Sequence, residues 1–117
     1  MTTFTIARIY GVQENADAYR ILVDRLWPRG ITQTDAALDE WCKDLAPTSE
    51  LRKWWNHDPE SLNEFADRYR AELDDNVLLP DILSRLTTHA HVTLLYGAKD
   101  PHVNHAVILR DYLAEHS

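Results

Sequence analysis

Residues 21–30 read ILVDRLWPRG. Ile21, Leu22 and Val23 form a continuous apolar run, the pattern of a strand buried on both faces. The chain then places Asp24, Arg25, Trp27, Pro28, Arg29 and Gly30 within seven positions. Proline cannot continue a central hydrogen-bonded ladder, so Trp27 to Gly30 must lie just past the strand's carboxyl end. The stretch therefore predicts a strand-to-loop corner, the place where ligands collect in open α/β sheets.

Working outward, residues 3–10, TFTIARIY, alternate Phe4, Ile6, Arg8 and Tyr10 with Thr5, Ala7 and Ile9, and this period of two predicts strand one. Residues 19–26 supply strand two. The polar link at 11–18 is eight residues long, short for a parallel crossover, so spacing alone predicts an antiparallel pair. From Thr34 the pattern becomes helical, with Leu38, Trp41, Cys42 and Leu45 on one face, Thr34 as N-cap, Asp35 favourable in the first turn and Pro47 as the stop. A short helix over Ser49–Trp55 follows, then Asp58-Pro59-Glu60 opens a third with the stripe Leu62, Phe65, Ala66, Tyr69 and Leu73. A fourth helix spans about Val77–Thr87 through Leu79, Ile82, Leu83 and Leu86. Residues 91–97, HVTLLYG, form the last strand, and Asp100-Pro101 starts a final helix to about Glu115 with Ala106, Leu109 and Leu113 on its core face. The expected architecture is α/β: a small three-stranded sheet, mainly parallel or mixed, covered by about five helices in a single domain over residues 1–117.

If strands one and two are parallel, the corner at 24–30 shares a crest with the corner YGAKDPHVNHA, residues 96–106. A site there combines Arg25 and Arg29 with Trp27, Lys99, Asn104 and His105 near a helix N-terminus, suited to a small anion bearing phosphate or carboxylate. Asp24 orients an arginine in this reading, and His105 or His57, whose side chain titrates near neutrality, moves a proton. Each residue also has a plain structural role open to it: Asp24 and Arg25 as ties within the fold, Trp27 as a core plug, Asp100 as a helix cap. His102 and His105 stand three apart, but no H-E-x-x-H or paired C-x-x-C accompanies them, so no metal is expected. With three glycines the chain has no phosphate-binding loop, nucleophile elbow or dinucleotide fingerprint, so no cofactor is expected. Of the adjacent Trp54 and Trp55, only one can face a core, which leaves open an alternative function as a non-catalytic interaction module with exposed tryptophan.

Nineteen acidic against twelve basic residues give a formal charge of −7, which opposes general nucleic-acid binding. The lone Cys42 cannot form an internal disulfide and reads as a small buried hydrophobe in a reducing compartment. Without a basic start and long apolar run at its beginning, or a membrane-length apolar segment, the chain is expected to be cytoplasmic, as a monomer or homodimer.

YRILVDRLWPRG, LDEWCKDLAP, SELRKWW, RYRAEL, VTLLYGAKD and NHAVIL together resemble the YeaO-like branch of the domain-of-unknown-function 488 family, from about Arg8 to Leu113. The resemblance carries over no catalytic residues. Longer members place a full helix between a first strand and a D-V-R strand similar to Val23-Asp24-Arg25, which implies that strands one and two are parallel, with residues 11–18 as a shortened crossover. The chain departs from those members after its last strand, having Asn104-His105-Ala106 in place of a Cys-His-Arg type segment, so thiol chemistry there is not implied.

Overall fold

The computed structural model describes residues 2–10 and 18–117. Among these, four strands make one sheet: β1 (Thr3–Arg8), β2 (Tyr19–Leu22), β3 (Glu40–Trp41) and β4 (His91–Tyr96), in the spatial order β1-β4-β2-β3. Every pairing is parallel, with Thr3 opposite His91 at one end of β1 and Leu22 opposite Leu95 at the end of β2. The antiparallel reading from link length is therefore corrected. β1 and β2 are not neighbours, because β4 inserts between them, and a short link does not have to join adjacent strands. The parallel orientation implied by the family resemblance is the one present; apart from Ala18, the supposed crossover at 11–18 lies outside the described residues.

The helices are α1 (Gln33–Ala36), α2 (Ser49–Trp55), α3 (Leu62–Asp75), α4 (Leu79–Leu86) and α5 (His105–His116), with 3-10 turns at Lys43–Leu45 and Pro59–Ser61. Where the apolar spacing predicted one helix from Thr34 to Pro47, there is a single helical turn, a two-residue strand and a 3-10 turn. Arg20 explains the break. Its Nη2 donates to the carbonyl of Ala36 (3.3 Å) and its Nε to that of Ala37 (3.2 Å), the acceptors that Glu40 and Trp41 would need to continue the helix. Ala37 then turns left-handed (φ 47°), and Asp39 exchanges two hydrogen bonds with the Arg20 backbone. Tertiary partners thus outcompete a local period, and a fourth strand forms at the sheet edge. α1 starts at Gln33, so Thr34 lies inside the turn and does not cap it; the Asp35 side chain lies outside the description.

The other helices follow their stripes. Phe65, Tyr69 and Leu73 of α3 and Leu79, Ile82 and Leu86 of α4 are buried. Thr48 caps α2 by accepting from the Leu51 N–H, and Asp58 Oδ1 accepts from the Glu60 N–H at the turn before α3. The last helix differs from expectation: α5 begins at His105, with Asn104 as its N-cap, and not at Asp100-Pro101. Asp100 instead closes a tight turn by accepting from the N–H groups of His102 and Val103.

Both faces of the sheet are covered, as a parallel sheet requires. Ile21, Val23, Val92, Leu94 and Tyr96 point into the main core with residues of α2 to α5, whereas Leu22 and Leu95 point the other way, against Ile9, Ala36, Trp27 and Trp41. Cys42 is buried in the main core. No helix among the described residues is long and apolar enough to cross a membrane.

Candidate functional site

Because β2 and β4 are parallel neighbours, their carboxyl ends open on the same crest. β2 pairing ends at Leu22, the Val23 N–H donates to Leu95 O (3.0 Å), and the chain leaves the sheet at Asp24. β4 ends at Tyr96. Between the two exits lies a cleft of about 300 Å³ bordered by Asp24, Arg25, Arg29, Arg52, Trp55 and His57, with His105 also on its wall.

Asp24 joins the two corners. Its Oδ2 accepts from the Gly97 N–H (2.8 Å), and its backbone carbonyl accepts from Trp41 Nε1 (2.8 Å). Its Oδ1 lies 3.3 Å from His105 Nε2, but that nitrogen is closer to Val23 O, at 2.9 Å. A carbonyl can only accept, so Nε2 carries the hydrogen and donates it to Val23. Asp24 Oδ1 is left buried and without a donor among the described residues. Burial pushes the Asp24 carboxyl above the ordinary range, while His105, the Gly97 N–H, Arg52 and His57 oppose the rise. Burial pushes His105 below its ordinary value against the pull of Asp24, which favours the neutral ring. The contact is a carboxyl group beside a neutral imidazole more than an ion pair.

The arginines divide by role. Arg25 is tied down: its Nε donates to Pro47 O (3.0 Å) and its Nη2 to Ala46 O (3.3 Å), which straps the corner to the segment before α2. Arg29 is exposed, and its carbonyl accepts from the Tyr10 hydroxyl (2.8 Å). Gly30 follows in the left-handed region (φ 77°), where any side chain is strained. Arg52, on α2, borders the cleft, and its guanidinium makes no hydrogen bond or ion pair among the described residues.

Sequence reasoning did not single out Arg52. Its signal was the i, i+3 step to Trp55, which puts both on one face of α2 once Trp55 is known to be buried. Asn56 and His57 both take left-handed conformations (φ 48° and 56°), and Trp55 Nε1 pins this turn by donating to Asp58 O (2.8 Å). The turn leaves His57 exposed on the lip of the cleft, 5.1 Å from the Trp55 ring centre.

Of the remaining predicted residues, Trp27 borders the cleft; its indole donates to Ile31 O (2.7 Å) and packs edge-on against Trp41. Lys99 is exposed and borders a neighbouring hollow of about 380 Å³ that shares His57, Gly97 and Ala98 with the cleft. Asn104 is fully buried; its Oδ1 accepts from the Val107 N–H and its Nδ2 donates to Asp100 O, so it serves the start of α5. The crest thus brings together Asp24, Arg25, Trp27, Arg29, His57 and His105, and sets Lys99 and Asn104 aside. His102 precedes α5, so it does not share a helix face with His105, and no group of three or more His, Cys, Asp or Glu placed for a metal occurs among the described residues. Of the tryptophan pair, Trp55 is buried and Trp54 is 43% exposed, with the Arg68 guanidinium 4.2 Å from its ring centre.

Fold and cleft together define a small parallel α/β fold with a hollow of about 300 Å³ at the carboxyl ends of its central strands. The chain matches the inactive DUF488-N3 subclade over residues 3–117 and belongs to that family. It is 45% identical over 106 residues to the uncharacterized protein YeaO of Escherichia coli (strain K12), covering 91% of this chain and 92% of that protein. It is 41% identical over 112 residues to the uncharacterized protein Rv3073c of Mycobacterium tuberculosis (strain ATCC 25618 / H37Rv), covering 96% and 94%. No solved structure matches it significantly.

Proposed function

We propose that this protein binds a small phosphate- or carboxylate-bearing molecule in the crest cleft and does not turn it over. The observation that carries the reading is the charge of the cleft: three arginines, Arg25, Arg29 and Arg52, border it against one acid, Asp24, in a chain whose formal charge is −7. Guanidinium groups suit bidentate recognition of such anions, and the walls of Trp27, Pro28 and Trp55 suit a small organic body. Binding without turnover is supported by the subclade's description as inactive and by the environment of His105, whose Nε2–H is committed to Val23. His57, exposed on the lip, contacts the anion. The alternative of a tryptophan-based interaction module has less behind it, since Arg68 lies over the exposed Trp54 ring.

The test is thermal denaturation in phosphate against chloride at equal ionic strength. A ligand that binds only the native state stabilises by about 2.7 kcal/mol at a hundredfold excess over Kd, so phosphate raises the melting temperature beyond the chloride control. Arg52→Ala, which removes no internal bond, abolishes the increment. Equal melting temperatures in the two salts at all concentrations would refute the reading.

A further inference from the structure

Resting on the anion-site reading and extending it, we infer that the site is bipartite. Its ligand carries two anionic groups, one held by the arginines of the cleft and the other by Lys99 in the adjoining hollow of about 380 Å³, with His57 as the contact shared by both halves. Three observations meet in this assignment. The first is continuity. His57, Gly97 and Ala98 border both spaces. Gly97 has no side chain and Ala98 a single methyl group, so the His57 ring is the one large group on the divide, and a single ligand fits across it. The backbone of the divide is fixed from two directions: the Gly97 N–H donates to Asp24 Oδ2 (2.8 Å), and the Ala98 carbonyl accepts from Arg8 Nε (2.9 Å).

The second observation is charge. Arg8, at the carboxyl end of β1, brings a further cation to the divide, so that Arg8, Arg25, Arg29, Arg52 and Lys99 stand around the joined space against Asp24 and Asp100. Five cations against two acids leave an excess of three positive charges, more than one phosphate dianion neutralises. Asp100 turns Oδ1 into its own loop, accepting from the N–H groups of His102 and Val103, while Lys99 is exposed and forms no salt bridge among the described residues. The third observation is His57 itself. It follows Asn56 in the left-handed region (φ 48° and 56°), a conformation that costs non-glycine residues stability and persists at ligand clamps. Its ring lies beside Trp55 and makes no hydrogen bond or ion pair among the described residues. Contact with both ends of a ligand gives that strain a use.

The experiment titrates the full chain calorimetrically with the bisphosphates of 1,3-propanediol to 1,6-hexanediol and with the n-alkyl monophosphates of matching length. It is run at low salt and at about pH 8, where each phosphate is a dianion. In wild type the best bisphosphate is expected to bind roughly tenfold tighter than its monophosphate, the range for a hydrogen bond to a charged group. In Lys99→Ala the preference falls to the purely statistical advantage of a probe with two identical ends, and the monophosphates keep their affinity. Arg52→Ala weakens both kinds of probe. His57→Gly also weakens both, yet raises the melting temperature of the free protein by about 2–4 °C, because glycine takes the left-handed conformation without strain. Asn56→Gly, in the same turn but bordering neither hollow, leaves binding unchanged. Bisphosphates that gain no more than the statistical advantage in wild type overturn the inference and leave the anion site standing. A gain that survives Lys99→Ala overturns it too, since the second group would then sit elsewhere. So does a His57→Gly variant that binds both kinds of probe as wild type does. If neither probe nor inorganic phosphate binds, the anion reading fails as well.

Discussion

Gly97→Ala tests how tightly the crest is built. A Cβ on Gly97 meets Asp24 Oδ2 at 3.0 Å and the Pro28 side chain at 3.6 and 3.7 Å. The Pro28 contacts are ordinary packing; the Asp24 contact is not, because Oδ2 is the atom that accepts from the Gly97 N–H at 2.8 Å. Asp24 must retreat by a few tenths of an ångström and lose much of a bond that, to a charged group, is worth about 1.5–3 kcal/mol. Gly97 is outside the left-handed region, so alanine also removes unfolded-state freedom and returns about 0.4–1 kcal/mol. The net expectation is a loss of about 1–2 kcal/mol in urea unfolding, or roughly 4–8 °C in melting temperature for a domain of this size. With Asp24→Ala in the background the clash disappears, and Gly97→Ala becomes stabilising by about 0.4–1 kcal/mol. An equal loss in both backgrounds would show that the cost comes from the backbone or Pro28, and would refute the account of Asp24 as the link between the corners.

Arg25→Ala is expected to cost about 1–3 kcal/mol in urea unfolding, because the carbonyls of Ala46 and Pro47 lose their donors; a loss under 0.5 kcal/mol would mean that the strap is ornamental. His105 sits below its ordinary value in the folded chain, so the unfolded chain takes up its proton first. The stability it contributes is present above about pH 6.5 and is lost as pH falls below that. His105→Gln should flatten the decline measured between about pH 7.5 and 5.5. At the other end of the scale, burial and the bond to Glu40 push the Tyr19 hydroxyl up to about 12. Its contribution is whole below about pH 10 and fades as pH rises through the folded value, so Tyr19→Phe and wild type should converge in stability in strong alkali.

The corner at residues 24–30 was legible because its signals are local: an apolar run, then a proline that cannot stay in the ladder. The parallel crest was legible only through the family resemblance, since the orientation of β1 and β2 depends on a strand from far along the chain. The segment 34–47 was misread for a related reason. Leu38, Trp41, Cys42 and Leu45 have helical spacing, and the agent that breaks the helix, Arg20, is remote in sequence. In the site, nothing local could show that Arg25 would meet two carbonyls or that Asp24 would meet Gly97. Arg52 was hidden among the charges of SELRKWW, and only the burial of Trp55 orients it.

The placement of β4 has a consequence for how the molecule comes into being. It is the last strand along the chain and the one between β1 and β2, with residues 3–8 paired to residues 91–96. During synthesis, TFTIAR and YRIL therefore leave the ribosome long before their shared partner exists. Such non-local pairing makes folding slow, and until His91–Tyr96 arrives the two early strands have backbone groups free to pair with other chains. A nascent chain of this protein is thus most vulnerable to aggregation after β1 and β2 have emerged and before β4 follows to close the sheet.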